Sequence, residues 1–277
     1  MILHAINAGN FKLDGGAMFG VVPKSIWNKV NPADESNLCT WATRCLLIEN
    51  GKQLVLIDTG LGNKQEESFF KHYHRDPYQT WDQLLKPLGF HSTDITDVFL
   101  THLHFDHVGG ALSGKQDAIV PTFANAVYWS NEAHWNWAIT PNAREKASFL
   151  KENLLPLQKS GQLKYIPNGE SPFDWMEILL VDGHTEKQML PLIHTPNGKL
   201  LYAADLLPSA GHIPMPYVMS YDVRPLLTLQ EKERIFSRAL AEDWTIFLEH
   251  DPIHECVTLQ QTEKGIRANK TFALSAF

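Results

Sequence analysis

Apolar positions along the chain fall into short runs, and several of those runs stop at an imidazole or a carboxylate. DVFLT (97–101) is β-prone, and the polar stretch THLHFDHVGG (101–110) begins where it ends. EILLVDGHT (177–185) runs into His184, GKLLYAAD (198–205) into Asp205, and DWTIFLEHD (243–251) into His250. LVLIDTGLG (54–62) is another strand-like run, ending in Asp58. Helical patterns lie between these strands. TWDQLLKPLGF (80–90) predicts a short helix capped by Thr80 and ended by Gly89, and NEAHWNWA (131–138) predicts a second. PNAREKASFLKENLLPLQKSG (141–161) predicts a third, with Thr140 as cap, Pro141 in its first turn and Gly161 at its end. Pro156 is expected to kink or break it. Asn197-Gly198, between two strand-like runs, predicts a hairpin. The sequence contains no internal repeat, low-complexity segment or long linker, so residues 1–277 read as a single domain.

In layered α/β proteins, functional groups collect where loops leave the ends of strands. His102 and His104 are two residues apart, so an extended backbone points both to one side. Asp106 and His107 come from the turn that Val108-Gly109-Gly110 continues, and face a second point. Four strand ends that each deliver His or Asp describe one site built from distant parts of the chain. The count fits two metal ions. His102, His104 and His184 make a three-nitrogen site, Asp106, His107 and His250 make another, and Asp205 has two oxygens with which to bridge them. Imidazole with carboxylate suits Zn²⁺, with Mn²⁺, Fe²⁺ or Co²⁺ as alternatives.

Composition narrows the setting. Apolar residues make up 44% of the 277, enough for a sizeable core. The start, MILHAINAGN, lacks a basic region followed by a long apolar run, and no stretch is long and apolar enough for a membrane span. Three cysteines, few and odd in number, suit a reducing compartment, and the expected location is cytoplasmic. A net charge of −7 disfavours nucleic acid as a partner and points to a small-molecule substrate.

The order HxHxDH, then Gly-His, then Asp, then a late His resembles the metallo-β-lactamase superfamily, and LVLIDTGLG matches its early strand-and-turn element. HLHFDHVGG and DGGAMFGVVPKSIW (14–27) look most like the N-acyl-homoserine-lactone lactonases and the methyl-parathion-hydrolase-like enzymes. The resemblance implies an α/β (α+β) fold, a four-layer αββα sandwich of two mixed sheets flanked by helices. It also implies a dinuclear hydrolase in which a bridging hydroxide attacks a lactone or ester, with Asp106 as catalytic proton carrier. Hydrolysis of a small phosphotriester or phosphodiester at the same site is the alternative. A non-catalytic metal-binding role is the third reading, and its signature would be loss of a ligand.

Other residues have plainer expectations. Asp58 is expected behind the ligands or in the turn, as the resemblance implies. His134 is expected to pack, His194 to be structural, His72, His74 and His91 to be solvated, and His254 to lie outside the ligand set. LLPSAGHIPMPYVMSYDVRP (206–225) is apolar for a loop. Met215 and Tyr217 in it, with Met18, Phe19 and Trp27, are expected either to line a slot for an acyl or aryl group or simply to pack. Many of the lactonases carry Tyr three residues after the bridging Asp, where this chain has Pro208. Tyr217 or Tyr221 is then left to take that part. Ala204 stands where a glycine often precedes that Asp.

Overall fold

The computed structural model describes residues 1–115, 118–167 and 170–277. Its contacts divide into two compact units, Met1–Asn10 with Thr43–Asn168 and Phe11–Ala42 with Gly169–Phe277.

The first unit is built on a mixed sheet of β1 (Ile2–Asp14), β2 (Leu38–Asn50), β3 (Gln53–Ile57), β4 (Asp97–Phe99), β7 (Val127–Asn131) and β8 (Leu163–Ile166), in that order. β5 (Leu112–Ser113) and β6 (Val120–Pro121) form a small antiparallel pair. β1 and β2 each straddle a unit boundary. β2 and β3 are antiparallel, whereas β3, β4, β7 and β8 run parallel. Val55, Leu56, Ile57, Val98 and Phe99 are all fully buried. That is why these strands read as continuous apolar runs rather than alternating ones. The register pairs Ile57 with Phe99, so Asp58 and the 100–102 segment leave the sheet side by side. The Asp58 amide donates to the Phe99 carbonyl at 2.9 Å.

Helices α3 (Glu67–Phe70), α4 (Trp81–Leu85), α5 (Phe105–Val108), α6 (Glu132–Ile139) and α7 (Lys151–Lys159) complete the unit. α4 has the expected Thr80 cap, closed into a capping box by Gln83. Asn131 caps α6 through the amides of Ala133 and His134. The helix expected over 141–161 is shorter than its pattern. Thr140 does not cap it; its hydroxyl bonds back to the Asn136 carbonyl and closes α6. The Asn142 carboxamide takes the amides of Arg144 and Glu145, which holds that stretch as a turn. The helix begins at Lys151 and contains Pro156 instead of stopping at it.

The second unit contains α1 (Gly15–Phe19), α2 (Lys24–Trp27), the 17-residue α8 (Pro225–Ala241) and a second mixed sheet. Its strands are β9 (Met176–Val181), β10 (Gln188–Thr195), β11 (Gly198–Tyr202), β12 (Thr245–Phe247), β13 (Cys256–Thr262) and β14 (Gly265–Phe272). They lie in the order β14-β13-β12-β11-β10-β9, antiparallel except for β11 beside β12. Thr195 pairs with Gly198, so the hairpin turns at Pro196-Asn197, one residue earlier than expected. Tyr202 pairs with Phe247. Asp205 and His250 each follow their partner by the same three residues, and His184 follows the end of β9 by three as well. The two mixed sheets and their helices give the α+β class. No helix of the described residues is long and apolar enough to cross a membrane.

Candidate metal centre

In the first unit the loop after β4 carries four donor side chains, His102, His104, Asp106 and His107, all buried. His102 Nε2 and His104 Nδ1 face each other at 3.1 Å. Such a nitrogen pair shares at most one proton, so its lone pairs suit a common cation. The backbone between them is pinned, because the Leu103 amide donates to His134 Nε2 at 2.9 Å. His134 therefore shapes the loop. Behind His104, its Nε2 lies 3.6 Å from a buried Glu145 carboxylate oxygen. Trp137 Nε1 also donates to Glu145, at 2.7 Å.

Asp58 backs His107. The His107 Nδ1–H donates to Asp58 Oδ2 at 3.0 Å, and Asp58 also takes the Thr101 amide and hydroxyl at 2.8 and 2.7 Å. Asp58 holds φ at 56°, a left-handed conformation that a short polar side chain tolerates. The loop is braced by close backbone packing. A Cβ on Gly110 would lie 2.1 Å from the Thr59 carbonyl oxygen, and one on Gly109 would lie 2.1 Å from that of Leu61. Lys64, also buried, donates to the carbonyls of Gly109 and Leu112.

In the second unit three donors meet. His184 Nε2 lies 2.9 Å from Asp205 Oδ2, and His250 Nε2 lies 3.0 Å from Asp205 Oδ1. Each imidazole is held from behind. His184 Nδ1–H donates to Asp222 at 2.9 Å, and His250 Nδ1–H donates to the Ala42 carbonyl at 2.7 Å. Burial presses the His184 imidazole toward neutrality, but Asp205 and Asp222 outweigh it and raise its pKa to about 10. Asp205 is presented by a left-handed Ala204 at φ 41°, where the missing glycine would sit more easily. The donor set fits divalent metal: Nδ1 atoms fixed by outer acceptors leave Nε2 atoms as ligands in the correct tautomer.

Asp222, Glu145 and Glu231 support these donors and carry no motif. Only Asp222 leaves a trace in the sequence, as a carboxylate within an otherwise apolar loop. His194 lies exposed on β10, paired opposite Lys199, and His72, His74 and His91 are exposed. His254 sits in a turn, its amide on Asp251.

The expected pocket residues divide. Phe19 is fully buried, with one face 4.3 Å from the His212 ring and the Trp27 ring stacked at 5.3 Å. Met18 and Trp27 are buried as well. These three pack as core, because neighbouring side chains take both faces of Phe19. Met215 and Tyr217 are half-buried and keep surface to offer, and Tyr217 meets the edge of Phe19 at 6.2 Å. His212 donates Nε2–H to the Met18 carbonyl at 2.9 Å and takes the Ser209 hydroxyl on Nδ1 at 2.8 Å. Burial lowers its pKa to about 3, so it is neutral.

A profile of the metallo-beta-lactamase superfamily matches residues 40–250, which include parts of both units. A probable metallo-hydrolase of Mycobacterium tuberculosis is 32% identical over 89 residues, which span only 29% of each chain. An N-acyl homoserine lactonase of Bacillus cereus is 25% identical over 209 residues, 72% of each chain. Among solved structures, a probable metal-dependent hydrolase from Staphylococcus aureus superposes with a TM-score of 0.89 at 28% identity, over 98% of this chain and 96% of that one.

Proposed function

The chain belongs to the metallo-beta-lactamase superfamily, and from that premise we propose a metal-dependent, dinuclear hydrolase that opens a lactone or ester bearing an apolar tail. All 277 residues are read as one functional domain. We assign His102, His104 and His184 to one ion and Asp106, His107 and His250 to the other, as their order along the chain suggests, and Asp205 would be shared between them. The observation that carries the reading is the convergence of His184 Nε2 and His250 Nε2 on the two oxygens of Asp205, with both Nδ1 atoms engaged behind. Zinc is the metal proposed, on the imidazole and carboxylate donors. A cytoplasmic setting is part of the same proposal, supported by three buried cysteines that form no disulfide.

Two bound ions would supply Lewis acidity toward the carbonyl and a water of lowered pKa. The chain's own residues do the rest. Asp106, whose side chain is 12% exposed, is the most open carboxylate of the set. One of its oxygens takes the proton of the attacking water and passes it to the leaving alkoxide oxygen. Asp58, Asp222 and Ala42 keep three imidazoles oriented, so no reorganisation is needed when charge develops. Met215 and Tyr217 receive the tail, and the matched N-acyl homoserine lactonase makes an acyl lactone the first candidate.

The test is a panel of acyl lactones, aryl esters and phosphotriesters, run on chelated protein and on protein reloaded with Zn²⁺ or Mn²⁺. The reading expects metal-dependent turnover of lactones or esters that improves as the tail lengthens. Turnover confined to phosphotriesters would contradict it.

A further inference from the structure

Helix α8 (Pro225–Ala241) buries an amine that the metal chemistry does not use. Lys232 is 1% exposed. Its Nζ points at four backbone carbonyls of one loop: His212 at 2.7 Å, Pro214 at 3.1 Å, Met215 at 3.4 Å and Tyr217 at 3.1 Å. The loop's composition explains why it needs such a post. Pro214 and Pro216 have no amide hydrogen, so this segment is short of backbone donors while its carbonyls still need partners. A lysine supplies three donors from a single atom. Burying it is costly, and burial lowers its pKa to about 7 against the opposing pull of Asp222. A methionine would fill the same space without that cost, so the amine is present for its hydrogen bonds.

Other residues of α8 hold a different loop. Glu231 takes the amides of Asp182 and Gly183 at 2.7 and 3.0 Å, and Thr228 donates to Asp222 at 2.8 Å. Those contacts steady His184. One helix thus braces a ligand loop through Thr228 and Glu231, and the loop of Met215 and Tyr217 through Lys232.

We propose that Lys232 is a positioning residue that sets substrate preference by holding the 212–217 loop in its tail-receiving shape, independently of the metal support given by Glu231. The proposal deepens the lactone or ester reading above and rests on it for the identity of the substrate.

The test uses the full chain, metal-loaded, as Lys232→Met and Glu231→Gln, with Lys232→Gln as the second variant should the methionine form not fold. Two readouts are needed. Hydrogen exchange reports the loops without reference to any substrate, and a homologous series of acyl lactones or aryl esters reports preference. In Lys232→Met, exchange over 212–221 is expected to rise about tenfold or more while 182–184 stays protected. KM for the longest tail should rise about tenfold, kcat for the shortest should stay within about twofold, and the metal content should be that of the wild type. In Glu231→Gln the pattern reverses: exchange rises over 182–184, metal affinity falls and the ranking of tail lengths is kept. Wild-type exchange over 212–221 in Lys232→Met, or a loosened loop with an unchanged ranking, overturns the proposal. If the wild type is inert toward the whole series, the substrate reading fails, and loop exchange alone still decides whether Lys232 is the post.

Discussion

At the scale of single residues, the outer partners of the histidines decide how well this chain holds metal. Asp58 is fully buried and fixes His107 through one hydrogen bond to Nδ1. Asp58→Asn removes the charge that keeps the Nδ1–H in place, while Asn retains the shape. Metal affinity is expected to fall about 10- to 100-fold, with the secondary structure kept. Competition with a chromophoric chelator measures this, and an unchanged affinity would refute the role given to Asp58. His212 makes a pH prediction. Its folded pKa lies near 3, so the unfolded chain takes up a proton at about 6.5 while the folded chain does not. The stability it provides is full above about pH 6.5 and is lost progressively as pH falls toward 3. Between pH 6.5 and 5 the loss is roughly 2 kcal/mol, at about 1.4 kcal/mol per unit. Urea titrations of wild type and His212→Gln should therefore converge as pH drops. Parallel curves would show that His212 is not held neutral.

At the scale of elements, the packing of the 59–62 turn against Gly109 and Gly110 ties the Asp-Thr-Gly element to the histidine-rich loop. The Thr59 amide and hydroxyl both bond to the His107 carbonyl, at 2.7 and 2.8 Å, and the Gly110 amide bonds to the Gly60 carbonyl at 3.0 Å. Gly110→Ala drives a methyl group into a backbone carbonyl. It is expected to cost roughly 1–3 kcal/mol and to lower metal retention together with stability. Thermal melts and metal analysis of the same sample check both, and a variant matching wild type in both would overturn the close-packing account. Much at this scale was legible in sequence. The buried parallel strands showed as apolar runs, and the Thr80 cap lay in its capping pattern. The missed features are those in which a side chain overrides a pattern. Asn142 bends the 142–148 stretch into a turn, so the helix there begins only at Lys151, and it continues through Pro156 instead of stopping at it. The pairing of Phe19 with His212 was hidden for a similar reason: stacking joins residues nearly two hundred positions apart and has no period.

At the scale of the whole molecule, the candidate donors stand out in the sequence because strand ends impose regularity. His102, His184, Asp205 and His250 each stand three residues past the last residue of a strand. Of the supporting carboxylates, Asp58 was legible and Asp222 only faintly so, whereas Glu145 and Glu231 arrive from a turn and a helix face with no shared spacing. Metal should also stabilise the folded chain, since a site formed only on folding adds about 2.7 kcal/mol when free metal exceeds Kd a hundredfold. Melting temperature should therefore rise on reloading and fall with chelator. Seven donors holding two ions are the centre of the proposed chemistry. Elemental analysis of the chelated and reloaded full chain tests that directly, alongside Asp205→Asn and His194→Ala. Two ions per chain are expected for the wild type and for His194→Ala, with a clear loss in Asp205→Asn. A wild-type value that saturates at one, or equal loss in both variants, would contradict it.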